Sequence, residues 1–80
     1  MKKKVYLAQR DRMVTLLRGM RVEAGMTQTE LAARIGKDQA YVSRYESGQR
    51  RLDVLEVREV CQAIGITLED FVKRLEKVLK

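Results

Sequence analysis

Four glycines, Gly25, Gly36, Gly48 and Gly65, each stand at the end of a segment of helical apolar periodicity, and Thr27, Asp38, Asp53 and Thr67 follow them in turn. Glycine takes up the left-handed conformation that closes a helix without steric cost, and short oxygen-bearing side chains accept from the free N–H groups that open the next one. A chain punctuated this way folds as short helices joined by tight turns. Neither a hairpin dipeptide nor sustained apolar–polar alternation points to a strand, and no proline interrupts the pattern. The expected fold class is therefore all-α, with five helices.

The start signals share one design. Thr27 with Glu30, Asp53 with Glu56 and Thr67 with Asp70 read as capping boxes, each flanked by an apolar pair able to staple the helix end to the core: Met26 with Leu31, Leu52 with Val57, Ile66 with Phe71. Asp38 differs, because Lys37 precedes it and leaves no staple. That helix is expected to present its N-terminus outward, where free N–H groups and the helix dipole favour anions.

The core stripes follow from spacing at i, i+3, i+4 and i+7. They are Met13, Val14, Leu17, Met20 and Ala24 in the first helix, Leu31, Ala32 and Ile35 in the second, and Val42 and Tyr45 in the third. Leu55, Val60, Cys61 and Ile64 continue them in the fourth, and Leu68, Phe71, Val72, Leu75, Val78 and Leu79 in the fifth. The last helix carries more apolar residues than one face of a monomer needs. Gly19 falls inside the first helix, where it costs about 1 kcal/mol relative to a good helix former.

At 80 residues the chain makes one small domain, whose core supplies no more than roughly 3–5 kcal/mol. Cys61 has no disulfide partner, and one cysteine without histidine cannot hold a structural zinc ion. Association with a second copy is the remaining source of stability, so a homodimer is expected, with Cys61 as a buried, inert thiol. No histidine, paired carboxylates or glycine-rich phosphate loop suggests an enzyme, so no catalytic residue, metal or cofactor is expected. No apolar run approaches the ~20 residues of a membrane span. The expected location is the cytoplasm.

The net charge is +6, which favours anionic partners such as nucleic acid. It is concentrated: residues 1–22 carry +6, residues 23–56 carry −1 and residues 57–80 carry +1.

The most specific signal lies between Gln28 and Ser47. Ala32 is small where two helices cross steeply, Gly36 reverses the chain, and Val42 and Tyr45 pin the second helix to the core. This is a helix-turn-helix. The stretch Leu16 to Ile66, with Thr27, Gln28, Leu31, Ala32, Gly36, Val42, Ser43, Glu46 and Gly48 as its signature, resembles the phage lambda/434 repressor-type, or Xre/Cro-type, helix-turn-helix domain. The resemblance implies a five-helix repressor-type domain. Residues 1–12 form a basic N-terminal arm leading into helix 1, 13–66 the DNA-binding domain, and 67–80 a C-terminal helix.

The resemblance also implies roles. Gln39, Ala40, Ser43 and Arg44, outward on the second motif helix, read base edges, with phosphate contact as the alternative for Arg44. Gln28 contacts a phosphate. Lys37, Arg50 and Arg51 flank the reading helix and Tyr41 lies within it; all four are expected to touch the DNA backbone, against a plain surface aromatic for Tyr41 and solvated ion pairs for Arg50 or Arg51. Arg21 and Glu46 form a structural ion pair. Leu68, Phe71, Leu75, Val78 and Leu79 are candidates for a dimer seam, unless they all close the monomer core.

The function expected is a sequence-specific regulator of bacterial or phage type that reads double-stranded DNA half-sites as a homodimer. An antitoxin or adaptor acting mainly through a protein partner is the alternative. A chain of this length has a radius of gyration of about 12 Å, and successive major grooves on one DNA face lie about 34 Å apart, so one copy reads one half-site.

Overall fold

The computed structural model describes residues 2–80 and contains five helices: α1 Lys3–Glu23, α2 Gln28–Arg34, α3 Gln39–Glu46, α4 Val54–Ile64 and α5 Leu68–Leu79. No strand occurs among the described residues.

The four glycines all take positive φ, and each ends its helix with the same pair of hydrogen bonds. After α1, the Met26 N–H donates to the Arg21 carbonyl at 3.2 Å and the Gly25 N–H to that of Val22 at 2.9 Å. Lys37 and Gly36 repeat this after α2, Gln49 and Gly48 after α3, and Ile66 and Gly65 after α4. This six-to-one and five-to-two arrangement satisfies carbonyls that the helix leaves free. Gly36 turns the chain between α2 and α3 at φ +70°; a Cβ there would meet nothing within 4 Å, so backbone conformation alone demands glycine.

At the starts, the side chains of Thr27, Asp38, Asp53 and Thr67 accept from the N–H three residues on, at 2.8–3.1 Å. Glu30 and Glu56 return the bond to complete capping boxes. Asp70 does not, so the Thr67 cap is one-sided.

Helix α1 begins ten residues before the boundary drawn between arm and domain. Residues 3–12 are helical, because nothing from Lys3 onward stops a helix; Met1 lies outside the described residues. The extension also has tertiary partners: Arg10 donates to the Gly48 carbonyl, and the Arg51 guanidinium lies 5.6 Å from the Tyr6 ring centre. The basic segment is helical, and Tyr6 and Arg10 join it to the turn that follows α3.

Leu17, Met20, Met26, Leu31, Ala32, Val42, Tyr45, Val57, Val60, Cys61 and Phe71 form one core. Four apolar residues assigned to the stripes are exposed, Val78 of α5 among them. Ala24 is exposed beyond the last turn of α1, and Val72 is exposed at the edge of the α5 stripe. Leu55 is 67% exposed, because α4 turns Val57, Val60 and Cys61 inward and Leu55 stands on the opposite side.

The proposed seam on α5 also needs correction. Phe71 is 1% exposed and belongs to the monomer core, so no partner can reach it. Leu68 and Leu75 are half-buried against the same core, Leu79 is half-buried, and Val78 is exposed. One wide apolar face thus does two things: its centre closes the monomer and its edges stay open. Gly19 lies in a groove between α1 and α5, and a Cβ there would meet nothing within 4 Å, so packing within the chain does not require glycine.

Candidate nucleic-acid interface

Helix α3 is eight residues long and held from one side. Val42 and Tyr45 are fully buried, and the Tyr45 hydroxyl has no hydrogen-bond partner. With those two fixed inward, the helical period turns Gln39, Ala40, Ser43 and Arg44 away from the core. Gln39 and Arg44 are exposed, and Ala40 and Ser43 half-exposed. The Arg44 side chain has no hydrogen-bond or ionic partner among the described residues.

The end of α3 is tied to the end of α1. The Arg21 Nε donates to Glu46 Oε2 at 2.8 Å and its Nη2 to Glu46 Oε1 at 3.0 Å, while Nη1 donates to the Met26 carbonyl at 2.7 Å. The two side chains are 9% and 4% exposed, and the bond to Glu46 raises the affinity of the guanidinium for its proton. This is the Arg21–Glu46 pair that the resemblance implied.

The pair is one end of a longer chain that residue-by-residue reading missed. Gln28 Nε2 donates to Glu46 Oε1 at 3.0 Å, and Gln39 Nε2 donates to Gln28 Oε1 at 2.8 Å. The Gln28 side chain is therefore directed across to α3, with one Nε2 hydrogen left over. Four polar side chains from α1, α2 and α3 run in sequence from the buried Arg21 to the exposed Gln39. Spacing within one helix gives no sign of such a chain, since each member sits on a different turn or helix.

Tyr41 is bonded within the protein, and Arg50 takes the ion-pair alternative. The Tyr41 hydroxyl donates to Glu56 Oε2 at 3.1 Å, so its proton is not offered to a DNA backbone. Its ring meets that of Tyr45 edge-on and carries the Arg50 guanidinium 4.6 Å and the Lys37 ammonium 5.4 Å from its centre. Burial, with the Glu56 bond second, pushes the Tyr41 pKa up. Arg50 Nη2 pairs with Glu56 Oε2 at 2.8 Å, so its charge is already matched.

Glu56 also accepts from the Asp53 N–H at 2.9 Å, and with Arg50 foremost these partners pull its pKa down to about 2. The capping box foretold its backbone bond but not its hold on Tyr41 and Arg50. Arg51 and Lys37 lie over aromatic rings and have no carboxylate partner among the described residues.

The open cations in and around α3 are thus Lys37, Arg44 and Arg51; Lys2, Lys3 and Lys4 stand at the start of α1, whose first turn carries Tyr6 against Arg51. Among the described residues no three His, Cys, Asp or Glu side chains gather as a metal site. No helix is long and apolar enough to cross a membrane.

Comparison with known proteins covers most of this framework. A helix-turn-helix family profile, HTH_3, matches residues 17–71. An uncharacterized HTH-type transcriptional regulator, y4dJ of Sinorhizobium fredii, is 42% identical over 48 residues, 60% of this chain. The match spans 62% of that relative's own length. Among solved structures, an XRE-family like protein from Pseudomonas syringae superimposes with a TM-score of 0.88 at 40% identity, covering 94% of this chain and 92% of that one. The restriction-modification controller protein C.Esp1396I, solved as a tetramer in complex with its natural 35 base-pair operator, shares the fold with a TM-score of 0.81 at 24% identity, over 89% and 93% of the two chains.

Proposed function

This chain belongs to the HTH_3 helix-turn-helix family, of Xre/Cro type, and on that premise we propose that it is a sequence-specific double-stranded DNA-binding transcriptional regulator that reads one half-site with α3. The observation that carries the reading is the division of α3 into a fully buried side, Val42 and Tyr45, and an outward side led by Gln39 and Arg44. Arg44, long and without a partner, has the reach and the donors for guanine O6 and N7. Gln39, already held by Gln28, offers an amide suited to adenine N6 and N7. Ser43 and Ala40 line the strip between them, where a hydroxyl hydrogen-bonds a base edge and a methyl group meets a thymine methyl.

Phosphate contacts fall to the open cations Lys37 and Arg51 and to Lys2, Lys3 and Lys4 at the start of α1, where Tyr6 lies against Arg51. Gln28 keeps one Nε2 hydrogen for a phosphate after bonding Glu46. These contacts set register and supply affinity without sequence information.

Two copies are needed for two half-sites. The chain has a radius of gyration of 12.1 Å, and an eight-residue α3 is about 12 Å long, against about 34 Å between successive major grooves. The edges of the α5 apolar face, Val78 and Leu79 with half-buried Leu68 and Leu75, are the surface we assign to a homodimer seam. C.Esp1396I, which shares the fold, is a tetramer on its operator.

Selection of bound duplexes from a random pool at one stated salt concentration tests the reading. A palindromic motif is expected, and its absence would sink the proposal. Sedimentation at tens of micromolar tests the seam, where a strict monomer would remove it.

A further inference from the structure

We infer that the groove between α1 and α5 seats α1 of a second copy of this chain, running antiparallel, with Leu16 of each copy over Gly19 of the other and Arg12 of each beside Glu23 of the other. The inference rests on the homodimer proposed above and names its centre.

Arg12, Leu16, Gly19 and Glu23 all line this groove. Their spacing of four, three and four residues puts them on one face of α1, away from the buried Val14, Leu17 and Arg21. Gly19 is exposed in the interior of a 21-residue helix, where glycine is disfavoured. A Cβ there would meet nothing within 4 Å, so no contact inside the chain calls for glycine. A missing side chain does allow another element to approach closely from outside. Leu16, one turn away and half-buried, has an open flank to offer such an element.

The face is self-complementary only in one direction. In an antiparallel pair, each step toward the C-terminus of one helix is a step toward the N-terminus of the other. Setting Leu16 on Gly19 therefore sets Arg12 on Glu23, four residues further out, and the two-fold axis repeats both contacts. A parallel pair would set Arg12 against Arg12 and Glu23 against Glu23. Charge thus selects the antiparallel arrangement, and the leucine fills the space that the glycine leaves.

The charges at the groove are loosely held within one chain. Neither Asp11 nor Arg12 has an ionic partner among the described residues. Arg12 Nη1 reaches the Val78 carbonyl only at 3.5 Å, and Glu23 meets Arg74 at 3.9 Å with both side chains exposed. Asp11 and Arg74 line the groove as well, so each end of the pair gathers Asp11 and Arg12 of one copy with Glu23 and Arg74 of the other. That is two carboxylates and two cations at each end of an apolar centre. Val78, exposed on α5, lines the same groove, so the seam assigned to α5 runs into it.

Sedimentation without DNA measures the dimer dissociation constant of the unaltered protein, Arg12→Glu, Glu23→Arg, the double charge reversal and Gly19→Gln. Each single reversal is expected to weaken the dimer by about tenfold or more, because symmetry repeats the repulsion at both ends. The double reversal is expected to regain most of that loss, since the pair returns with its signs exchanged. Gly19→Gln is expected to weaken the dimer by a similar factor while raising the melting temperature of the dilute chain, as glutamine favours helix more than glycine and its Cβ meets nothing in its own subunit.

A dimer indifferent to Arg12→Glu, Glu23→Arg or Gly19→Gln would overturn the inference and leave the homodimer on the edges of α5 alone. A double reversal no tighter than the single ones would overturn the antiparallel register and the inference with it. A strict monomer in the unaltered protein would remove homodimer and inference together, while duplex selection judges the DNA-reading function separately.

Discussion

Arg21 and Glu46, twenty-five residues apart, meet through two hydrogen bonds of 2.8 and 3.0 Å that join the last turn of α1 to the last residue of α3. Both side chains are withdrawn from water, and removal of either strands the other. Arg21→Ala is expected to cost about 3–5 kcal/mol, whereas the double replacement Arg21→Met with Glu46→Leu recovers most of that loss, since packed apolar groups substitute well for a buried pair. Urea denaturation of the natural chain and of both variants measures the cost and the recovery. A loss below about 1 kcal/mol in Arg21→Ala would mean that the pair carries no structural role.

Glu56 supplies an acid-sensitive contact. Its folded pKa, about 2, lies below the ordinary value of 4.5, so its contribution is present above pH 4.5 and is lost as the pH falls toward 2. Thermal melts between pH 5 and pH 2 should therefore show a steeper decline for the natural chain than for Glu56→Gln. Parallel curves would exclude Glu56 as the source.

Arg44→Ala leaves the fold intact, because the side chain has no hydrogen-bond or ionic partner in the free protein. It should weaken binding to the selected duplex by about 1–3 kcal/mol and relax preference at one position of each half-site. A uniform loss on all sequences would instead make Arg44 a phosphate contact.

Lys2, Lys3 and Lys4 open α1 at the end that holds Tyr6 against Arg51. Replacing all three by glutamine should reduce affinity for any duplex and lower the slope of log affinity against log salt by about one for each phosphate that is no longer neutralised. The melting temperature should change little, as these side chains are exposed. An unchanged salt slope would leave them as solvated charges.

Cys61 is fully buried, and burial pushes its thiol pKa up to about 11. At pH 8 it should react with an aromatic disulfide reagent only as fast as the protein opens, and at the normal thiol rate in denaturant. Fast reaction under native conditions would contradict the packing of α4.

Helix ends were legible because their physics is local. A glycine at positive φ and a capping side chain three residues from its N–H are satisfied within one turn, and Gly25, Gly36, Gly48 and Gly65 each close their helix as their positions foretold. The start of α1 was not, since a signal that is absent, here any break between Lys3 and Met13, leaves no mark to read. Phe71 and Leu55 show a second limit. Periodicity identifies an apolar face, but the angle at which α5 and α4 dock decides that Phe71 is sealed in and Leu55 left out.

By itself the sequence determined five helices, their caps, the crossing at Ala32 and Gly36, and the four outward positions of α3, all of which depend on neighbours within a few residues. Only the tertiary structure decided that Tyr41 and Arg50 are committed to Glu56, and that Gln39 is bonded through Gln28 and Glu46 to Arg21. Those side chains come from separate helices. Hydrogen bonds act over about 3 Å, so their partners are set by how the helices pack and not by their order along the chain.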